Sequence, residues 1–518
     1  MPETVRESAP CLMVQGTASG AGKSVLTAAL CRLFARAGYR VAPFKSQNMA
    51  LNAYVTADGG EIGRAQAAQA EAAGIEPTVD MNPILLKPEA LDRSQVVVRG
   101  RAVASVGWRE YALMQSRLLP VVALSLDHLR RAHDLVLIEG AGSPAEINLA
   151  ASEIVNMRIA RLADARVLLV GDIDRGGVFA AFVGTLALLD PADRARVGGL
   201  VVNKFRGDPA LLASGLDEIA VRTGVPVLGV VPWIAGVLAP AEDSLDLEAP
   251  PRPVEAGGET AALEIAVIKL PRIANFDDFE PLAVEPGVRV SFVTTPGALR
   301  SADLIVLPGS KNTVADLAWL RETGLAGAIA AAAAAGRPVL GICGGFQMLG
   351  RAVHDPDGVE SASPTTPGLG LLPVETVFAR EKTTVRVRAR VAVAPGPFAA
   401  AAGSEVVAYE IHAGLTRPVA DALRLFTVLE RAGAPADGAD GVVSASGAVA
   451  GTSFHGLFAN GALRGALLGH LAALAGRAPD PRWGAPGGDR WERLADVVGA
   501  ALDLPAVAKL AGLAYPRA

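Results

Sequence analysis

The sequence predicts an α/β protein with two alternating strand-and-helix domains, the first a doubly wound parallel sheet. Three observations predict it. Short apolar runs at 11–15, 135–138, 167–170, 199–202 and 225–231 read as buried parallel strands, most of them ending in a polar, glycine-bearing loop. Four or five such strands with helical spacing between them make a sheet covered on both faces over about residues 8–235. Beyond Pro240, Pro250, Pro251 and Pro253, a stretch without periodicity, the alternation resumes with Glu264–Lys269, Val288–Phe292 and Leu304–Leu307. The expected division is a first domain at 1–237, a linker at 238–261, a second domain at 262–475 and a C-terminal helical tail at 476–518.

Composition limits the function class. A chain of 518 residues exceeds a single core. With 51% hydrophobic and 19% charged residues it is compact rather than disordered. Only Cys11, Cys31 and Cys343 are present, which leaves no disulfide framework or zinc-site spacing and suits a reducing cytoplasm. Met1-Pro-Glu-Thr-Val-Arg-Glu lacks the pattern of a secretory signal. The longest apolar run, Val225–Ala241, is broken by Pro226, Pro232 and Pro240, so no membrane partner is expected. A net charge of −5 argues against nucleic acid. A small anionic substrate fits if lysines and arginines cluster locally, and a homo-oligomer remains open.

The first strand runs directly into Gly16-Thr17-Ala18-Ser19-Gly20-Ala21-Gly22-Lys23-Ser24, and Val25, Leu26, Ala29, Leu30 and Leu33 then share a helix face. Strand, glycine-rich loop and helix together are the setting of a phosphate-binding loop. Backbone N–H groups from Gly16, Thr17, Gly20 and Gly22 would cradle ATP phosphates, Lys23 would reach the terminal ones, and the Ser24 hydroxyl would face Mg²⁺. Five residues separate Gly16 from Gly22, one more than the strict pattern allows.

Further polar groups follow later strands. Tyr39–Phe44 ends in Lys45-Ser-Gln-Asn-Met-Ala-Leu-Asn52, where Lys45 could hold a carboxylate or a transferred phosphoryl group. Helical spacing covers 61–73, and Asn82–Pro88 reads as a polar-flanked turn. Arg64, Lys87 and Arg93 are possible anion contacts, each more simply a surface charge. Glu139 closes the run 135–138 and is placed to bind Mg²⁺ or its waters. Gly171-Asp-Ile-Asp-Arg-Gly-Gly177 repeats the design, and Asn203 after a late strand could read a purine edge.

In the second domain, Arg337–Gly350 places Cys343 on a sharp turn between a short apolar strand and a helix, flanked by Gly341, Gly344 and Gly345. Such a turn exposes a nucleophile, offers backbone N–H groups to an oxyanion, and lowers a thiol pKa at the helix start. The plainer alternative is an inert buried cysteine. Among six histidines only His412 and His455 directly follow strands here, and His455 in Ser-Phe-His-Gly is the expected general base. His354 in His-Asp-Pro-Asp-Gly reads as a turn residue. The alanine-rich run 325–335 reads as a closely packed helix without chemistry.

These residues carry a family resemblance. Gly341–Gly350 together with Phe454-His455-Gly456 resembles the class I glutamine amidotransferase domain, over roughly residues 262–470. The resemblance implies that Cys343 attacks the side-chain amide of glutamine, that His455 shuttles the proton, and that backbone N–H groups of Gly344 and the Pro308-Gly309-Ser310 turn bind the oxyanion. Most members carry glutamate two residues after the histidine; here Leu457 stands there. A Cys–His dyad or an acid borrowed from elsewhere is therefore expected, with Glu410 a weak candidate.

The first domain, by its longer loop spacing, resembles the dethiobiotin synthetase-like ATPases; Ala18 stands where the partitioning ATPases carry an extra lysine. The combination is similar to the corrinoid and cell-wall amidotransferase group. The runs 45–52, 139–149, 171–177 and 203–208 resemble the corrinoid branch. That resemblance implies amidation of the b, d, e and g carboxylates of an anionic corrinoid, with ATP and glutamine as co-substrates. The alternatives are the sister reaction on carboxylates a and c, a cell-wall amidotransferase, or a non-catalytic ATPase switch with a degenerate glutaminase module.

Overall fold

Cys11–Gly16 is an inner strand of the first sheet in the computed structural model, which describes residues 8–90, 92–150, 152–234, 263–485 and 488–517. The chain falls into two compact units: Met1–Ala50, Glu61–Pro240 and Gly487–Ala518 form the first, and Leu51–Gly60 and Ala241–Pro486 the second. Residues 51–60 and the last thirty or so therefore depart from a serial division at 237, 261 and 475. The linker expected over 238–261 lies outside the described residues.

In the first unit six strands, rather than four or five, lie in the order Val227–Pro232, Val197–Phe205, Arg166–Asp172, Cys11–Gly16, Leu135–Glu139, Val41–Phe44, all parallel. The order reverses direction at Cys11–Gly16, whose carboxyl end is thus a topological switch point where α/β sheets bind ligands. Alternate residues serve opposite faces, as the period of a strand requires. Leu12 and Val14 join Leu26, Leu30, Leu33 and Phe34 of the helix Lys23–Arg36, whereas Cys11 and Met13 join Leu118, Val122 and Leu126 of the helix Trp108–Ala132.

One strand of this unit was not legible as such, and neither was the core that receives the expected C-terminal helices. Asn82–Pro88 does not form a turn: Ile84–Ala90 is a strand in a small sheet with Gln47–Met49, Arg93–Val98 and Arg101–Gly107. Its Pro88 stands next to a register irregularity, a place where a strand tolerates the missing N–H. The C-terminal helices Arg490–Ala501 and Leu504–Leu510 bury Trp491, Leu494, Val498 and Val507 in the same cluster as Leu26 and Leu30. Arg32–Asp489 and Arg36–Asp496 ion pairs, 2.7 and 2.6 Å, border that contact.

The second unit carries a 12-stranded sheet. Val288–Val293, Leu263–Ile268, Leu304–Leu307, Val339–Ile342 and Val449–Thr452 pair in parallel, and Ala439–Val443, Leu423–Arg431, Val374–Val391 and Glu405–Pro418 continue it antiparallel. Cys343 follows one inner parallel strand, and His455 lies just past the neighbouring one. No helix among the described residues is long and apolar enough to cross a membrane.

Candidate active site

Strand register collects the polar groups of the first unit at one sheet edge. Val14 stands beside Glu139, Gly16 beside Val170 and Asp172 beside Asn203. Thr17 N donates to Val170 O at 2.9 Å, which ties the loop to the sheet. Gly22, at φ 96°, has Asn203 Nδ2 only 2.0 Å from where a Cβ would sit, so no other residue fits. Asn203 Nδ2 donates to Ala21 O at 2.8 Å; the sequence placed it near a base, and here it braces the loop. Lys23 Nζ donates to Ala18 O and Gly142 O, both at 3.2 Å.

Glu139, fully buried, is the hub. Ser24 Oγ donates to its Oε1 at 2.8 Å, Lys45 Nζ lies 2.8 Å from the same oxygen, and Gln69 Nε2 donates to Oε2. A hydroxyl and a buried carboxylate beside a phosphate loop are the hard oxygen donors that Mg²⁺ takes. Gln69 went unnoticed in the sequence because it lies inside a helix with no motif around it. Lys204, bonded to Gly20 O at 2.6 Å and to Asp172 at 2.8 Å, is a further loop contact, from a run already singled out for Asn203. The three suggested anion contacts are otherwise engaged. Arg64 pairs with Glu71 at 2.7 Å, Arg93 donates to Ser105 O at 2.8 Å, and Lys87 is no surface charge but a buried partner of Glu61.

Cys343 sits at φ 50°, ψ −110°, a positive φ rarely adopted by a residue with a Cβ, at the start of the helix Gly344–Leu349. A Cβ on Gly345 would lie 1.9 Å from Leu307 O, which explains the glycine after the turn. The N–H of Ser310 lies 2.8 Å from where a Cβ on Gly344 would stand, and His455 Cε1 lies 3.0 Å from the same point on Gly309. The turn at 309–310, Gly344, Cys343 and His455 are thus brought together.

His455 Nδ1 lies 2.7 Å from Asp278 Oδ2, and Gly456 N donates to Asp278 Oδ1 at 2.8 Å. The third member is therefore Asp278. Glu410 instead pairs with Arg431 and stands 3.9 Å from His412, and Leu457 is packed in the core. Burial opposes charge on both partners but is outweighed. Asp278 and the Cys343 thiolate push His455 up to about 10. His455, then His412 and the Gly344 N–H, hold the Cys343 thiol below its ordinary value. By contrast, burial pushes Cys11 up to about 12 and Cys31 further. Only Cys343 is poised as a thiolate, paired with an imidazolium. His412 contributes to that field while its Nδ1 contacts Gly414 O at 2.9 Å; His354 is engaged with Thr365 and Glu375.

Comparison with known proteins agrees with this division of labour. Residues 264–463 match the CobB/CobQ-like glutamine amidotransferase domain, and residues 12–246 the CobQ/CobB/MinD/ParA nucleotide binding domain. The molecule is a glutamine-hydrolysing amidoligase of the nucleotide-dependent kind. Over 97% of its length it is 55% identical to the cobyric acid synthase of Sorangium cellulosum (strain So ce56), covering 98% of that protein. It is 50% identical to the cobyric acid synthase of Pelotomaculum thermopropionicum (strain DSM 13744 / JCM 10971 / SI), with 98% of each chain covered. The chain belongs to the cobyric acid synthase family.

Proposed function

We propose that this chain amidates the b, d, e and g carboxylates of adenosylcobyrinic acid a,c-diamide, with one ATP and one glutamine consumed per amide. The observation that carries the reading is that one chain holds Cys343 on a strained strand-to-helix turn beside a His455–Asp278 pair, and a phosphate loop whose serine meets a buried carboxylate. The names of the relatives, and the runs at 45–52, 139–149, 171–177 and 203–208, support the corrinoid as substrate.

The Cys343 thiolate adds to the glutamine side-chain carbonyl. Gly344 N–H and the N–H groups of the 309–310 turn receive the oxyanion. Protonated His455 gives its proton to the departing nitrogen, ammonia leaves and a γ-glutamyl thioester remains; His455, now neutral, takes a proton from water as it attacks, releasing glutamate. Asp278 keeps the imidazole in the orientation and tautomer both steps need. In the first unit the γ-phosphoryl group passes from ATP to a corrinoid carboxylate, because oxide is too poor a leaving group for ammonia to displace. Ammonia then displaces phosphate from the acyl phosphate and forms the amide. Lys23 stabilises charge on the phosphates and Lys45 steadies the acceptor carboxylate. Ser24 and Glu139 are the residues to hold Mg²⁺, which supplies charge neutralisation at the phosphates when bound. Reduced cysteines and these co-substrates suit the cytoplasm.

Mass spectrometry of the corrinoid product tests the substrate. Four added amides support the reading, whereas two point to the a and c enzyme. Cys343→Ala should lower glutamine-dependent amidation by on the order of 10³-fold or more while amidation from ammonium salts persists. Lys23→Ala should remove both, and loss of both in Cys343→Ala would refute the division of labour.

A further inference from the structure

The backbone that faces Cys343 across the oxyanion position is held by a very short pairing. Gly309–Ser310 runs antiparallel to Ile273–Ala274, with Ser310 opposite Ile273 and Gly309 opposite Ala274. Lys311 N donates to Arg272 O at 2.9 Å. Bonded and non-bonded positions alternate along an antiparallel pair, so the N–H of Ser310, next to that bonded position, turns away from the partner strand. The Ser310 nitrogen lies 2.8 Å from where a Cβ on Gly344 would stand. Of the two turn residues, Ser310 is therefore the one whose N–H joins that of Gly344 at an oxyanion. A two-residue pairing that includes a glycine fixes a peptide orientation only weakly.

The rest of the hold comes from Asp316, in the first turn of the helix Thr313–Glu322. Ser310 Oγ donates to Asp316 Oδ2 at 2.7 Å and accepts from Asn312 N at 3.0 Å, so the hydroxyl is fixed from both sides. Asp316 Oδ1 faces Arg272 Nη1 at 3.6 Å, which brings the strand opposite Ser310 into the same contact. The carboxyl is fully buried, and burial pushes it up to about 6, against the pull of Ser310 and Arg272, so at neutral pH it is still an acceptor. Helix capping does not account for it, because Asn312 Oδ1 already accepts from Ala315 N at 2.9 Å. An acid that only favoured the helix dipole would do so at the surface without the cost of burying its charge.

We infer that Asp316 is a positioning residue for the oxyanion: through the Ser310 hydroxyl it holds the Ser310 N–H towards the carbonyl oxygen of bound glutamine, beside the N–H of Gly344. The inference deepens the amidotransferase reading and rests on it. Asp316 touches neither substrate nor thiol in this role. It acts when the carbonyl oxygen gains negative charge as Cys343 adds, a moment at which a donor turned aside gives no stabilisation.

The test uses the full-length enzyme with MgATP and the corrinoid a,c-diamide present, and compares two reactions of Cys343. One is glutamate release from glutamine, which passes through an oxyanion; the other is alkylation by iodoacetamide, read by mass spectrometry of the Cys343 peptide, which does not. Asp316→Asn should lower glutaminase kcat by about 10–10²-fold with KM changed by less than about twofold, while the alkylation rate stays within about twofold of wild type. Ser310→Ala should do the same with the carboxylate left in place, and the double variant should fall little further, because both changes cut one link. Wild-type kcat in either single variant overturns the inference. So does a fall in alkylation equal to the fall in turnover, which marks a collapsed site, or a rise in KM alone. A wild type that is alkylated at Cys343 yet releases no glutamate overturns the glutaminase reading, and the positioning role with it.

Discussion

At the scale of single residues, the charge on His455 is what makes Cys343 a nucleophile, and Asp278 is what sustains that charge. The carboxylate raises the imidazole pKa, and the imidazolium lowers that of the thiol. The working pair therefore exists above the thiol pKa and below about 10. Asp278→Asn should contract this window from both ends: the imidazole loses its proton at lower pH, and the thiol, less supported, keeps its own to higher pH. Glutaminase kcat/KM should fall by on the order of 10²–10⁴-fold, with a narrower pH profile as the diagnostic measurement. Cys343 and His455 were legible because each follows an apolar run and is bracketed by glycine or a small turn. Asp278 was not, because it lies 177 positions upstream of His455 in a short turn, and two acids in Asn-Phe-Asp-Asp-Phe have no periodicity to mark them.

At the scale of elements, the close approach of helix Gly344–Leu349 to its neighbouring strand decides where the thiol sits. Gly345→Ala would drive a Cβ against Leu307 O and should cost about 1–3 kcal/mol, read as a lower midpoint in thermal unfolding and a slower glutaminase. The strand-turn-helix units were legible from four-residue apolar runs. The antiparallel part was less legible: Val374–Val391 carries Arg380, Lys382, Arg386, Arg388 and Arg390, and its mostly half-buried or exposed side chains hide its ends from a hydrophobic pattern. Pro83 and Pro88 disguised Ile84–Ala90 in a different way, since proline is ordinarily turn punctuation and here sits at a strand margin and an irregularity of register.

At the scale of the whole molecule, chain order and compact units do not coincide. Amphipathic spacing after residue 480 was visible, but spacing does not say which core receives the apolar face, and the receiving helix Lys23–Arg36 is over 400 positions away. Trp491, 6% exposed, is the largest side chain that this segment buries. Trp491→Ala should destabilise the first unit by about 3–5 kcal/mol, detectable as an early calorimetric transition that MgATP shifts upwards.

That late segment also constrains biosynthesis. A ribosome delivers the phosphate loop well before Trp491, Leu494 and Val498, so the apolar face of Lys23–Arg36 lacks these partners while the glutaminase sequence between them is translated. The ATP-binding part of the molecule therefore becomes fully packed only after its ammonia source has been made.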